Sequence, residues 1–309
     1  MKKYCRGLLI LLHVYTTVVT AQPTSNSNQK PDRFTEGIIV SRASFPGNPV
    51  NDSIKRLDFE NGNSADNSYV IQALKKHQQS IKGENEQEIK DAYFISGIIL
   101  MPVYSTMHFT PMKTLIKTDA LGYHQEMLTN KVDNTGKMVV ADRDKTNQVT
   151  VNFSLQDIKE VWQKYQVDAA QYSSQKTSET AQIAGYLCKK IIYTFNGTSR
   201  GTGVSNYIIN MQPQKLIVWY NDDLSPSINQ MHPHDFELEK AVLKYEVEYD
   251  LLKKNRMLVE VIQVEKKKMD EDVFELNEKL PVVTHVKNSY ESGMMIMQVM
   301  MNAISLLTK

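Results

Sequence analysis

The chain has 309 residues, 41% of them apolar and 23% charged, and its 36 Lys and Arg nearly balance its 35 Asp and Glu. This composition is ordinary for a globular protein and excludes a globally disordered chain. The near-neutral charge gives no electrostatic reason to expect nucleic-acid binding.

Residues 1–21 are predicted to be a cleavable signal peptide. The apolar stretch Leu8–Leu12 follows a basic start, and the segment ends in small residues at Ala21. The basic residues are Lys2, Lys3 and Arg6. A membrane span needs about 20 apolar residues, so we expect export to the periplasm or the extracellular space, and a soluble mature protein without a membrane span.

Cleavage would change both the charge and the cysteine content. It would remove three of the 36 basic residues and none of the 35 acidic ones, leaving 33 against 35 and a net charge of about −2. It would also remove Cys5, so Cys188 could form no intramolecular disulfide. Cys188 lies in an apparent strand beside Lys189 and Lys190, which could lower its pKa, but the sequence favours a buried core residue over a reactive thiol.

The first third of the chain is predicted to contain a leader, a strand and a helical insertion. Residues 22–33 are polar and indicate a disordered leader, Phe34–Ser41 indicates a first strand, and 44–67 indicates a loop. A helical insertion is predicted near 67–92, with a second short helix toward Tyr93. The first helix carries apolar-face residues at helical spacing, namely Val70, Leu74, His77 and Ile81.

Residues 107–153 are predicted to form a meander of antiparallel strands. The sequence Asp133–Gly136 is typical of a hairpin turn. Apolar and polar residues alternate over Val149–Phe153, as in a strand with one buried face. Ser154 is then predicted to cap a helix with one apolar face.

The strongest strand patterns come later. Tyr186–Phe195 ends at a turn, and Leu216–Tyr220 is apolar on both faces, which predicts cover on both sides. A third strand alternates strictly between apolar and charged residues, and Met257–Lys266 is predicted to pair back onto it. Its apolar residues are Leu243, Tyr245, Val247 and Tyr249.

Residues 288–309 are predicted to form a Met-rich amphipathic helix. Five of the 15 methionines lie between 294 and 301, and the polar residues form one narrow stripe. An apolar helix face this wide must be buried against another surface. The helix could be a permanent part of the core, or a displaceable plug for an apolar cavity.

Residues that could carry chemistry are few. His232, His234 and Asp235 are weak candidates for a metal site, because two imidazoles and a carboxylate lie close in sequence without a third histidine at a defined spacing. Asp222–Asp223 and Gly201–Gly203 are interpreted as turns. We predict neither a cofactor nor a catalytic residue.

Several segments resemble a known family. Ile183–Lys190, Val218–Leu224 and the hairpin Lys244–Lys267 are similar to secreted bacterial domains of unknown function in the LolA-like superfamily, the outer-membrane lipoprotein carriers. The similarity is good over 181–280 and looser over 107–165. It implies an incomplete antiparallel barrel, closed by helices, with an apolar concave face that could hold an acyl chain.

The sequence therefore predicts a mainly β (α+β) fold, with a curved antiparallel sheet covered by helices in one domain over 34–287. We expect a non-enzymatic periplasmic or secreted protein that binds an acyl chain, a lipid or a lipoprotein segment. The alternatives are an envelope structural or adaptor protein whose own helix fills the cavity, and a metal-dependent enzyme. The expected ligand-binding residues are Trp219, Tyr245, Val247, Tyr249, Met294, Met297 and Met301.

Overall fold

A computed structural model gives the structure of the protein. It describes residues 34–57, 59, 68–82, 85–143, 146–156, 169–197, 213–231, 240–249, 255–276, 281–284, 292–296 and 298–300. The predicted signal peptide and leader lie outside these residues.

Strands dominate the described part of the chain. They are β1 Gly37–Ser44, β2 Pro102–Phe109, β3 Lys113–Ala120, β4 Tyr123–Asn130, β5 Thr135–Asp142, β6 Gln148–Ser154, β7 Tyr172–Ile183, β8 Tyr186–Phe195, β9 Lys215–Asn221, β10 Ala241–Glu248, β11 Arg256–Lys266 and β12 Val282–Thr284. The α-helices with described bounds are α1 Asn51–Lys55, α2 Ser68–Ser80 and α3 Glu86–Ile98. Residues 292–296 and 298–300 are also helical. None of the described helices is both long and apolar enough to cross a membrane.

All twelve described strands belong to one sheet, in the order β12-β6-β5-β4-β3-β2-β1-β11-β10-β9-β8-β7. Two antiparallel meanders, β2–β6 and β7–β11, meet at β1, which pairs with β2 on one side and β11 on the other. The short β12 returns to the far edge and pairs with β6 in parallel. The sheet is therefore mixed, with a single parallel pairing among its described strands.

The second meander is strongly curved. Backbone atoms of strand β7 approach within 8 Å of those of β11. Four steps of about 4.8 Å would separate these strands by about 19 Å in a flat sheet. The strands must therefore curl, as the twist of antiparallel strands favours. The expectation of a mainly β, curved sheet is confirmed.

One face of the sheet carries the main hydrophobic core, and we call it the core face. It includes Ile39 of β1, Met107 of β2 and Val247 of β10, all fully buried. Helix α3 packs on it, because the ring of Phe94 lies 5.7 Å from that of Tyr249 and also contacts Phe45. The opposite, outer face carries Lys244, paired with Glu260 at 3.0 Å, and other polar residues.

Several sequence predictions hold in detail. The predicted hairpin turn joins β4 to β5, with Asn134 at a φ of 53°. Val70 and Leu74 are buried on α2. Strand β11 pairs antiparallel with β10 as expected. Each of these elements has a local pattern strong enough to specify it without tertiary information.

Other predictions need correction. The segment 44–67 was expected to be a loop throughout, but it contains α1, whose Ile54 is buried in the core. The second helix of the insertion is longer than expected and runs on to Ile98. Strand β9 is covered on only one side, since Ile217 and Trp219 are half-buried. Only residues 155 and 156 of the helix expected after Ser154 are described.

Candidate functional site

The predicted ligand-binding residues of β10 lie on the core face. Tyr245 and Val247 pair with Val218 and Leu216 of β9, and all four side chains are buried. Burial raises the pKa of the Tyr245 hydroxyl well above 10, and the nearby Tyr249 adds to this. These side chains are packed within the core, and Tyr249 contacts α3, so this part of the core face is already covered by the chain itself.

Trp219 does not share that face, which corrects the prediction. Side chains alternate along a strand, so Trp219 points away from its neighbours Val218 and Tyr220. It pairs with Lys190 of β8 and Lys244 of β10, and the Lys190 ammonium lies 5.4 Å from the centre of its ring. Trp219 is therefore an outer-face residue in a cation–π contact.

The Met-rich tail is only partly described. Met294 is 44% exposed, whereas Val299 and Met300 are buried and belong to the main core. Met297 and Met301, which were expected to bind ligand, lie outside the described residues. The tail thus packs on the body of the protein through Val299 and Met300.

A cleft of about 290 Å³ separates this helical segment from the end of the sheet. Its walls come from the β5–β6 turn and the start of β6, from the residue before β12, and from the tail helix. The lining residues are Thr146, Asn147, Gln148, Val149, Pro281, Met295, Gln298 and Val299. Half of them are polar, and the volume is near the lower limit for a small-molecule site.

The β5–β6 turn holds one wall of the cleft rigid. The Asp142 carboxylate accepts hydrogen bonds from the backbone N–H of Thr146 at 2.8 Å and of Asn147 at 3.1 Å, and from both side chains. Burial acts to raise the pKa of Asp142, but the bonds from Asn147 and Thr146 outweigh it and lower the pKa below 3.8. Asp142 is therefore ionised at neutral pH.

Inward from the cleft, two rows of side chains cross the core face. Val149 at the cleft pairs with Val140 of β5, and Val140 pairs with Gln125 of β4. From Gln125 the row continues across β3, β2 and β1 as buried polar side chains, which we call the polar row: Gln125, Thr118, Ser105 and Ser41. The parallel row two residues along the strands, the methionine row, comprises Ile39, Met107, Ile116, Met127, Met138 and Val151.

Gln125 is the unusual member of the polar row. It is only 4% exposed, and its carbonyl oxygen Oε1 accepts no hydrogen bond. Ser105 and Thr118, by contrast, are joined hydroxyl to hydroxyl at 3.3 Å. An unpaired buried acceptor costs about 1–3 kcal/mol, so Gln125 marks a place where the core lacks a donor.

The remaining sequence candidates have structural explanations. Asp222 forms ion pairs with Lys189 at 2.7 Å and Lys240 at 2.5 Å, and hydrogen bonds from these lysines lower its pKa. Asn221 closes the turn by accepting from the backbone N–H groups of Asp223 and Leu224. The interpretation of Asp222–Asp223 as a turn is thus supported by its contacts.

Cys188 is buried on β8, and burial raises the pKa of its thiol to about 11. A thiol with this pKa stays protonated at neutral pH and is a poor nucleophile. This agrees with the interpretation of Cys188 as a core residue. The metal candidates His232, His234 and Asp235 lie outside the described residues, as do Gly201–Gly203. Within the described ranges, no three metal-ligating side chains come together.

The sequence reasoning missed both the cleft and Gln125. Gln125 is a polar residue between His124 and Glu126, so its residue type alone predicts exposure to solvent. A weak signal was available, because Tyr123, Gln125 and Met127 share one face and two of the three are apolar. The cleft needs the register of three separate segments, which no local pattern provides.

Comparisons with known proteins add little. No family model matches the chain, and no curated protein matches it significantly. A solved structure of PNGF-II aligns with 63% of this chain and 30% of its own, at 18% identity and a TM-score of 0.32. The chain thus spans less than a third of that structure, and a similarity this low says nothing about function.

Proposed function

We propose that the protein is a non-enzymatic binding protein of the periplasm or the extracellular space, which takes an acyl chain, a lipid or a lipoprotein segment. The observation that carries this proposal is the cleft beside the tail helix. Met295, Gln298 and Val299 form its helical wall, and Val149 connects it to the apolar core face. Methionine side chains adapt to apolar ligands of varied shape.

The apolar part of the cleft lining supports the same proposal. A concave apolar surface stabilises a bound chain by about 25 cal/mol per Å² of apolar area removed from water. The resemblance to the LolA-like superfamily agrees in kind, since a carrier of that shape holds acyl chains in its concavity. The signal peptide, which the sequence predicts, would bring such a protein to the compartment where lipids are exchanged.

A structural or adaptor role is the second candidate, and a specific observation favours it. Val299 and Met300 of the tail helix belong to the main core, together with Phe94 and Leu74 of the helices that cover the sheet. If these helices fill the core face permanently, the cleft admits no chain and the protein serves as a rigid module.

Ligand uptake separates the two functions. We expect organic extraction of the purified full chain to release lipid detectable by mass spectrometry, and N-phenyl-1-naphthylamine to fluoresce on binding. Met295→Trp fills the cleft and should weaken probe uptake about tenfold, equivalent to about 1.4 kcal/mol. The matched control is Met112→Trp, because Met112 is 56% exposed at the β2–β3 turn, far along the chain from the cleft-lining segments.

The result that contradicts the binding function is equally clear. A protein that yields no lipid on extraction and gives no probe fluorescence would support the adaptor role. Equal uptake by Met295→Trp and the wild type would move the site away from the cleft.

A further inference from the structure

We infer that His108 and the segment that follows β11 form an acid-sensitive latch on the outer face of the sheet. Residues 267–276, which we call the strap, are attached at neutral pH to apolar side chains of β1, β3 and β4, and acid releases them. The latch is independent of the proposed binding function, because neither His108 nor the strap lines the cleft.

A small hydrophobic cluster, separate from the main core, attaches the strap to the sheet. Met269 and Phe274 are 9% and 5% exposed, and they pack with Leu115 of β3, which is fully buried. Ile38 of β1 and Leu128 of β4 pack against this cluster. Because only these two strap residues are buried, the strap belongs to the least stable parts of the structure.

Polar contacts add little to this attachment. Glu271 pairs with Lys113 of β3, but the Glu271 side chain is 79% exposed, and ion pairs in solvent contribute little to stability. The Val273 N–H donates to the carbonyl of Asp270, within the strap itself. No backbone hydrogen bond joins the strap to the described strands. Release of the strap therefore mainly breaks apolar contacts.

His108 lies between two of the side chains that hold the strap. It pairs with Ile38 on one side and Leu115 on the other, so all three side chains point to the outer face. The Nδ1 atom of His108 is buried and has no hydrogen-bond partner. An imidazolium ring carries a proton on both nitrogens, and a buried charged N–H without an acceptor is costly. The attached strap therefore favours the neutral ring.

The surrounding charges also oppose protonation. Burial, and then the charges of Lys117 and Lys267, lower the pKa of His108 below 6.5. Lys267 begins the strap, and Lys117 lies on β3, where it pairs with Glu126 at 3.6 Å. No described carboxylate bonds to Nδ1. The other charged residues of the strap and of the adjoining strand ends are Glu36, Lys113, Glu265, Lys266, Lys268, Asp270, Glu271, Asp272 and Glu275.

Proton binding and strap release are therefore linked. Release of the strap exposes the ring to water and moves Lys267 away, so the released form binds the proton with a pKa nearer 6.5. The attachment is complete above pH 6.5 and weakens as pH falls toward the lower pKa of the attached form. Acid thus exposes Ile38, Leu115 and Leu128, none of which belongs to the main core.

Hydrogen exchange with mass spectrometry at pH 7.5 and pH 5.0 tests the latch on the full chain. After correction for the chemical exchange rate at each pH, opening of strap peptides should increase about threefold or more in acid, because the released form binds the proton more tightly. Peptides from β8–β9 should change less. His108→Leu should remove the pH response of the strap, and His108→Gln should do the same with a polar neutral side chain.

His124→Gln is the matched control. His124 is another histidine on the outer face of the same meander, and its Nδ1 shares a hydrogen bond with Asp119. The variant should keep the wild-type pH response of the strap, because the ring of His124 already has the partner that His108 lacks.

Phe274→Ala tests the same coupling from the side of the strap. Without the Phe274 ring the strap should open at both pH values, and the pKa of His108, followed by NMR of its ring, should rise toward 6.5, because linkage is reciprocal. Equal opening of the wild-type strap at the two pH values would overturn the latch. A pH response that persists in both His108 variants, or an unchanged His108 pKa in folded Phe274→Ala, would overturn it as well.

Discussion

At the scale of single residues, a half-buried histidine on the outer face is the clearest source of pH dependence. His108 pairs with Ile38 and Leu115 on its two sides. Met269 and Phe274, in the segment that follows β11, form a buried cluster with Leu115. The Nδ1 atom of His108 has no hydrogen-bond partner. Burial, and then the charges of Lys117 and Lys267, lower its pKa below 6.5.

This lowered pKa predicts acid destabilisation. The unfolded chain binds the proton more readily than the folded one, so the stability that His108 contributes is complete above pH 6.5 and is lost as pH falls toward the folded pKa. We expect His108→Leu to reduce the loss of stability between pH 7.5 and pH 5. Urea unfolding at the two pH values, followed by circular dichroism, measures the difference.

Thr106→Leu provides the control for His108→Leu. Thr106 lies two residues away on the same outer face of β2 and does not titrate. Its effect on the free energy of unfolding should be the same at both pH values. Equal acid sensitivity in His108→Leu and the wild type would show that other groups determine the pH response.

At the scale of elements, the β5–β6 hairpin depends on a glycine. Gly136 pairs with Phe153, and a Cβ atom at position 136 would overlap the Phe153 ring. Phe153 is itself buried. The Phe153 ring thus packs over Gly136 across the strand pair. This contact helps to fix the register between β5 and β6, which lead to the cleft.

Gly136→Ala should therefore destabilise the protein by about 1–3 kcal/mol, the usual cost of overpacking a core. Gly293 makes the matched comparison, because it lies in the tail helix and a Cβ atom there would have no atom within 4 Å apart from its chain neighbours and the backbone of its own helix. There the same change should stabilise by up to about 1 kcal/mol, because alanine favours helix. Thermal unfolding of both variants measures the effects, and equal shifts would contradict this packing.

The edge strand β7 shows how the sheet can end in solvent. Most of its residues are exposed and polar, and its pairing with β8 is interrupted between Lys176 and Thr180. Glu179 in this interruption pairs with Lys190 at 2.9 Å. Irregular, charged edges of this kind discourage pairing with other chains.

At the scale of the whole molecule, β1 connects the two meanders. It comes first along the chain among the described strands, yet it lies between β2 and β11 near the middle of the sheet. Its Ile39 is fully buried and begins the methionine row. Because both halves of the sheet are bonded to this one strand, we expect them to unfold together.

Ile39→Ala tests this cooperativity. It should cost about 2–5 kcal/mol, as for other large-to-small changes in cores, and should reduce amide protection equally in peptides from β3–β4 and from β8–β9. Hydrogen exchange with mass spectrometry measures both regions. Ile262→Ala, at a site that is 45% exposed on β11, should change stability by less than about 0.5 kcal/mol. Loss of protection in one meander alone would mean that the halves unfold separately.

Much of the sheet could be predicted from the sequence. In a strand with one buried face, apolar and polar residues alternate, and this alternation is visible in neighbouring residues. The alternation in β6 and β10, and the turn between β4 and β5, each arise from neighbours in sequence. The face of Trp219 was predicted wrongly because Leu216–Tyr220 is apolar at every position, so that no alternation distinguishes its two faces. Short α1 was missed because five residues carry too little helical period.

The sequence by itself determined the strand and helix patterns, the mainly β class, and the burial of residues such as Tyr245 and Cys188. Only the tertiary structure decided that β1 sits between two meanders, that the tail helix leaves a cleft, and that Gln125 lies buried without a donor. The physical reason is the distance along the chain between the residues that specify each feature. Periodicity depends on residues a few positions apart, whereas a row across the sheet depends on the register of strands that are distant along the chain.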